Sequence, residues 1–148
     1  FHKQSKTLLI PLRRKIKMDH LTLIRSYFEN ILSNENPQVA SEILTDDVKC
    51  LLPSGDVSIG IEPILEAVKG ASSAFPHRNI SLDKVITENS SSAVVYTLAM
   101  QHVGQYGEYE PTDKTITITG VDIFEFADNK ISSISVFYNP EIISEQLR

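Results

Sequence analysis

The sequence predicts an α+β fold in which three N-terminal helices pack on a curved, mainly antiparallel sheet. Up to about residue 70, apolar residues recur mostly at helical spacing; from residue 79 onward the period changes to two. Helices are thereby segregated from a run of consecutive strands, the order expected of an α+β chain. The 148 residues are enough for one domain with a single core.

Asp19 is a candidate cap for a first helix reaching about residue 34. Along it, Leu21, Leu23, Ile24, Tyr27, Phe28, Ile31 and Leu32 form one broad apolar stripe. Asn36 and Pro37 start a second helix, the Asn as cap and the Pro at the first helical position, continued by Val39, Ala40, Ile43 and Leu44. Asp46 and Asp47 break to a short strand through Val48, Cys50 and Leu52, and Pro53, Ser54, Gly55 and Asp56 make a turn. A third helix follows Gly60, burying Ile61, Ile64, Leu65 and Val68, and ends near Gly70, before Phe75 and Pro76. Four strands follow, over residues 79–87, 93–105, 113–126 and 130–138. Ala127, Asp128 and Asn129 make a tight hairpin turn. A loop of about six residues around Gly107 joins the two long strands.

Composition narrows the function. Apolar residues make up 41% and charged residues 22%, as in a globular chain and unlike a disordered one. No run approaches the ~20 apolar residues needed to span a bilayer. The net charge of -5 argues against nonspecific binding of nucleic acid or an acidic membrane. The single cysteine, Cys50, excludes an internal disulfide and a thiol-pair zinc site.

The charge is uneven. Residues 1–17 hold Lys3, Lys6, Arg13, Arg14, Lys15 and Lys17 and no acid, so residues 18–148 carry 8 Lys+Arg against 19 Asp+Glu, a net of -11. The expectation is a leader over 1–17 that is not part of the fold, Met18 as the natural start, and one domain over 18–148 in the cytoplasm. An acid-free basic leader also resembles an organelle transit peptide. A secretory signal fits poorly, because the apolar run at 8–12 is short and Arg13, Arg14 and Lys15 follow it.

Two polar residues stand where apolar ones are expected. Val94, Tyr96, Leu98, Met100 and His102 share one face of their strand; Ile116, Ile118, Gly120, Asp122, Phe124 and Phe126 share one face of the next. An ionisable group on an apolar face is costly unless paired, hydrogen-bonded or neutralised. Desolvation raises a carboxyl pKa and lowers an imidazole pKa, preparing both for acid–base work near neutrality. Tyr27, on the apolar stripe of the first helix, adds a hydroxyl that could hold an enolate-like oxygen. Plainer readings stand beside these: a core histidine bonded to a carbonyl, an aspartate bound to a backbone amide, an ordinary core tyrosine.

Several segments resemble the SnoaL-like polyketide cyclases and ketosteroid isomerases. They are the Tyr27 helix; residues 43–48 (Ile-Leu-Thr-Asp-Asp-Val); Leu52, Pro53, Ser54 and Gly55 with Gly60; and Ala74, Phe75 and Pro76. Residues 120–126 (Gly-Val-Asp-Ile-Phe-Glu-Phe), closed by 128–131 (Asp-Asn-Lys-Ile), and the ending Phe137, Tyr138, Asn139, Pro140 with Leu147 match as well. The resemblance covers residues 19–148 and implies the nuclear transport factor 2-like (cystatin-like) cone, with helices and a bent sheet around one deep pocket. It implies that Tyr27 corresponds to the isomerases' oxyanion-binding tyrosine. Asp122 corresponds to their protonated aspartic acid and to a catalytic-region aspartate of the cyclases. It further implies that His102 corresponds to the histidine of the cyclases' Thr-His-x-Gly segment, and that Pro111, Thr112, Asp113 and Lys114 resemble their Pro-Thr-Gly-Lys turn. Leu52 stands where the isomerases keep their aspartate base, Asp113 and Asn129 stand where the cyclases keep glycine, and the cyclases' Glu-His-Trp after Gly-Lys-Ile is replaced by Ser132, Ser133 and Ile134.

The functional expectation is a cyclase- or isomerase-type enzyme that transfers a proton at a carbonyl of a mostly apolar small molecule. Asp122, His102 and Tyr27 are the expected catalytic residues; Leu52, Met100, Ile118 and Phe124 are expected to contact substrate, with no metal or cofactor. His77 is a reserve candidate. The alternative is a non-catalytic binding or dimerisation module. Thr115, Thr117, Thr119, Val121 and Ile123 would form the outer sheet face of a homodimer. A metal hydrolase is disfavoured because His2, His20, His77 and His102 show no ligand spacing. An epoxide hydrolase is disfavoured because Arg25 and Arg78 are not bracketed by two aspartates.

Overall fold

The computed structural model describes residues 18–33 and 36–148; the basic leader over 1–17 lies outside the described residues. Helix α1 (His20–Ser26) starts at Asp19, whose carboxylate accepts the Thr22 N–H at 2.7 Å. It runs straight into a wider π-helical turn, Tyr27–Leu32, closed by the Ser33 N–H donating to the Phe28 carbonyl at 3.2 Å. Helix α2 (Pro37–Ile43) is capped by the Asn36 side chain, as expected, which accepts the Gln38 and Val39 N–H groups at 3.1 and 3.4 Å. Then follow β1 (Leu44–Leu51), β2 (Val57–Ile59), α3 (Ile61–Ala74), β3 (Arg78–Glu88), β4 (Ser91–Gln101), β5 (Thr115–Ala127), β6 (Lys130–Phe137) and α4 (Glu141–Leu147).

The six strands form one sheet in the order β2-β1-β6-β5-β4-β3, parallel only between β1 and β6. Shifts of register interrupt β3 at Leu82/Lys84 and β5 at Glu125/Phe126. The β5–β6 hairpin turns through Asp128 (φ 53) and Asn129 (φ 61), the two positive φ values that a two-residue hairpin demands.

One side of the sheet is buried. Leu23, Ile24, Phe28 and Ile31 of the first helical segment and Ile43 of α2 pack on Val94, Phe124, Ile131 and Ile134. A second cluster joins Phe75, Met100, Ile116 and Ile118 to Ile143 and Leu147 of α4. On the opposite side, Thr115, Thr117, Thr119 and Ile123 are exposed. Among the described residues, no helix is long and apolar enough to cross a membrane.

Four departures from the sequence expectation have local causes. The α-helices number four among the described residues, and α4 follows the sheet. Its signal is only Pro140 ahead of Ile143 and Leu147 at i, i+4. The Gln146 carboxamide of α4 covers the edge of β5, accepting the Thr117 N–H at 2.9 Å and donating to the Thr117 carbonyl at 2.8 Å. Strand β1 begins at Leu44, because Asp46 and Asp47 sit exposed within it and do not interrupt it. The short edge strand β2 was not expected; it pairs with the end of β1. The β4–β5 connection spans 102–114 and not six residues. The His102 N–H donates to the Lys114 carbonyl and the Asp113 N–H to the His102 carbonyl, both at 2.9 Å, closing its base, while Tyr106 and Tyr109 pair across its tip.

Candidate active site

Between the buried face of the sheet, the π-helical turn and α3 lies a cavity of about 350 Å³, within the range that holds small molecules. The π turn directs Tyr27, Phe28 and Leu32 into it; α3 adds Ile64 and Val68; the sheet adds Ile80, Leu98 and Val136. Leu52, 37% exposed, stands at its mouth. Asp122 is the only carboxylate and Arg78 the only lysine or arginine among the lining residues.

Asp122 is placed by alternation along β5. It opposes Val94 on β4, two residues beyond the Tyr96–Gly120 pair. The side chain is 2% exposed, and its Oδ1 has no hydrogen-bond partner among the described residues. Burial pushes the carboxyl up to about 7, with a hydrogen bond from the Tyr96 hydroxyl pulling the other way. Burial, reinforced by the nearby Asp122 charge, also raises the pKa values of Tyr27 and Tyr96. For Tyr138 burial comes first, then Tyr106 and Asp122; for the Cys50 thiol, burial and then Asp122. The three hydroxyls therefore stay protonated at neutral pH and can donate to an oxygen that gains charge.

Gly120 makes this arrangement possible. The Tyr96 ring lies across it: a Cβ at position 120 would sit 2.6 Å from the Tyr96 Oη and 2.7 Å from its Cζ. The absent side chain lets Tyr96 lean along the strand toward Asp122. Tyr96→Phe is expected to raise the Asp122 titration midpoint further, because the bond that favours the ionised form is lost. Carbon-13 NMR of the aspartate carboxyls against pH would measure it; an unmoved midpoint would remove Tyr96 from the site.

Of the expected site residues, Tyr27, Asp122, Leu52, Met100 and Ile118 line this one cavity. Phe124 and His102 do not, and both are corrections to the expected site. Phe124 is fully buried one alternation beyond Asp122, with ring centroids 5.5 Å from Tyr27 and 6.0 Å from Phe28. His102 shares the sheet face of Asp122, but the antiparallel register sets Asp122 opposite Val94, eight residues before His102 and about 26 Å away along the strand. The imidazole is fully buried against Phe75, with centroids 5.3 Å apart. Its Nδ1 accepts the Thr112 N–H at 3.2 Å and lies 3.0 Å from the Thr112 Oγ1. The backbone donor assigns the ring hydrogen to Nε2, which has no partner among the described residues. His102 thus ties down the β4–β5 connection. His77 and Arg25 are exposed and outside the cavity lining.

Tyr96, Tyr106, Tyr138 and Arg78 also line the cavity and were not expected there. Tyr96 carried a visible signal, an aromatic with a polar tip two residues from Leu98 on the same face. Tyr106 carried none, because it lies in the aperiodic connection. Among the described residues, no group of three metal-ligating side chains comes together.

The SnoaL-like polyketide cyclase family profile matches residues 22–147. No curated protein matches the chain in sequence. Solved structures match over nearly the whole fold. A protein described as a SnoaL-like polyketide cyclase from Jannaschia sp. CCS1 has a TM-score of 0.80 and 17% identity, covering 91% of this chain and 95% of its own. TsrD from Streptomyces laurentii has a TM-score of 0.75 and 17% identity, covering 88% and 97%. IdmH from Streptomyces antibioticus, described as a polyketide cyclase, has a TM-score of 0.77 and 15% identity, covering 85% and 96%. At these identities the neighbours establish the fold alone, which is the α+β architecture expected from the sequence. With the profile spanning all but the ends of the described residues, the chain belongs to the SnoaL-like polyketide cyclase family.

Proposed function

We propose that this protein is an enzyme that moves a proton at the carbon next to a carbonyl group of a small, mostly apolar molecule, in cyclase or isomerase chemistry. The Asp122 carboxylate takes the proton, and the C–H electron pair becomes an enolate whose oxygen accepts hydrogen bonds from Tyr27, Tyr96 or Tyr138. In an isomerisation, Asp122 returns the proton to another carbon of the same enolate. In an aldol cyclisation, the enolate carbon bonds to a second carbonyl carbon, and that carbonyl's oxygen takes the proton from Asp122.

The observation that carries this reading is the buried Asp122 carboxyl, with its Oδ1 unpartnered, in an apolar cavity beside tyrosine hydroxyls. A group that titrates near 7 is both a competent base and a competent acid at neutral pH. The Leu52 side chain, where the isomerases keep a second carboxylate, favours the rival reading of a module that binds without turnover.

Proton NMR in deuterium oxide separates the two, with 1-tetralone and 2-tetralone as probes. Loss of the signal from the carbon next to the ketone should run above the buffer rate and rise with pH through about 7. It should persist in His102→Asn, whose Oδ1 can take the place of Nδ1 toward Thr112. Binding of the ketones with exchange no faster than in buffer would reject the enzyme reading in favour of the binding module.

A further inference from the structure

The outer face of the sheet has no part in the cavity. Strand pairing aligns Val57, Leu51, Ser135, Ile123, Ala93 and Ile86 in one row that crosses all six strands. Alternation turns this row outward, since the adjacent Ser58, Cys50 and Asp122 line the cavity. Ile59 and Phe137 flank the row on the same face, paired with Lys49 and Val121. Of the eight exposed large apolar side chains among the described residues, five lie here: Val57, Ile59, Ile86, Ile123 and Phe137, between 37% and 60% exposed. A monomer rarely presents so continuous an apolar patch to water. Charge is sparse on this face. Lys49 and Lys84 stand against Asp83, Glu88 and Glu125, a net of -1, whereas residues 18–148 carry -11. Five strand spacings of about 4.8 Å, and about 34 Å of β5 over 115–125, bound a face of roughly 800 Å².

From this patterning we infer that the protein is a homodimer in which two copies pack the outer faces of their sheets together. A two-fold dimer joins one patch to itself, so the patch must be its own complement. Apolar side chains meet that condition, and a nearly uncharged face lets two anionic bodies approach where the rest of their surfaces repel. A cationic partner would instead be drawn to the acidic remainder of the surface. Roughly 800 Å² from each partner is the size of a standard stable interface. Sheets stacked face to face lie about 10 Å apart, close enough for Ile123 and Phe137 to interdigitate with the second copy. The cavity lies on the other side of each sheet, so the dimer is independent of the proton-transfer reading.

Sedimentation equilibrium of the full chain from about 1 to 100 µM should give twice the chain mass of 16.6 kDa. Added salt should tighten the association, because it screens the repulsion between two anionic bodies. Ile123→Glu and Phe137→Glu each place a carboxylate in the apolar patch and should weaken association by about tenfold or more. Leu21→Glu, at an exposed apolar position on α1, should leave it unchanged. Circular dichroism checks the fold of all three. If neither sheet variant folds, methyl NMR of the unsubstituted protein decides. The Ile59, Ile86 and Ile123 methyls should become shielded from a soluble paramagnet as the concentration rises through the dissociation constant. A monomer at about 100 µM overturns the dimer. Association that Ile123→Glu and Phe137→Glu leave intact, or methyls that stay open to the paramagnet, overturns this face as its interface.

Discussion

Asp122→Asn is expected to lower proton exchange on the tetralones by 100-fold or more while making the protein more stable at pH 8. The first effect follows from the loss of the only carboxylate in the cavity, since positioned general acid–base groups contribute roughly 10²–10⁴-fold. The second follows from linkage. The carboxyl titrates near 3.9 in the unfolded chain and at about 7 in the folded one. Between these values the folded state holds the extra proton, so stability falls as pH rises. The contribution is full below pH ~4 and lost as pH climbs through about 7. Asparagine cannot ionise and escapes that loss. Relative to Asp122→Asn, the unsubstituted protein should lose on the order of 2–4 kcal/mol between pH 4.5 and pH 8. Thermal melts of both proteins at the two pH values would measure it. Parallel pH dependence would mean that Asp122 is not desolvated.

Gly104→Ala is expected to be the most damaging of the glycine-to-alanine changes. A Cβ there would press into the Ser73 carbonyl oxygen well inside van der Waals contact, and would lie 3.0 Å from the Ser73 carbonyl carbon and 3.1 Å from the Ala74 Cα. All three are backbone atoms at the end of α3, which no rotamer change can move. The Val103 and Gly104 N–H groups both donate to the Ala74 carbonyl, at 3.0 and 3.1 Å. This strap seats His102 against Phe75 and leads into the connection that brings Tyr106 to the cavity. Overpacking of this kind costs about 3 kcal/mol or more when the neighbour is rigid. Gly70→Ala is the matched control. Gly70 lies within α3 with nothing within 4 Å of an added Cβ, so this change should stabilise by about 0.5–1 kcal/mol. Urea midpoints of the two variants should move in opposite directions; a Gly104→Ala midpoint within error of the parent would contradict the close approach.

These residues show what a sequence reveals and what it withholds. Asp122 was legible because a period of two makes a carboxylate on an apolar face conspicuous, and burial follows directly from that face. The pairing of His102 with Asp122 was not legible. Sharing a face is local information, but sharing a cavity depends on the β4–β5 register, which is set by a connection of unforeseen length. Phe124 failed for a related reason: its face was right, but helix α1 and the π turn cover that stretch of β5. The resemblance at Gln101, His102, Val103 and Gly104 marked a segment that matters, although here its histidine and glycine close the backbone and do not line the cavity. Arg78 and the Tyr106 side chain reach the cavity from a strand end and a loop, where neither hydrophobic period applies.

The Asp122 carboxyl carbon, labelled with carbon-13 and assigned by its absence in Asp122→Asn, gives the most direct reading of the site. Its chemical shift followed from pH 3 to pH 10 should turn over at a midpoint of about 7. A midpoint near 4, the ordinary value for an aspartate in water, would mean a solvated carboxylate and no proton-transfer site in this cavity.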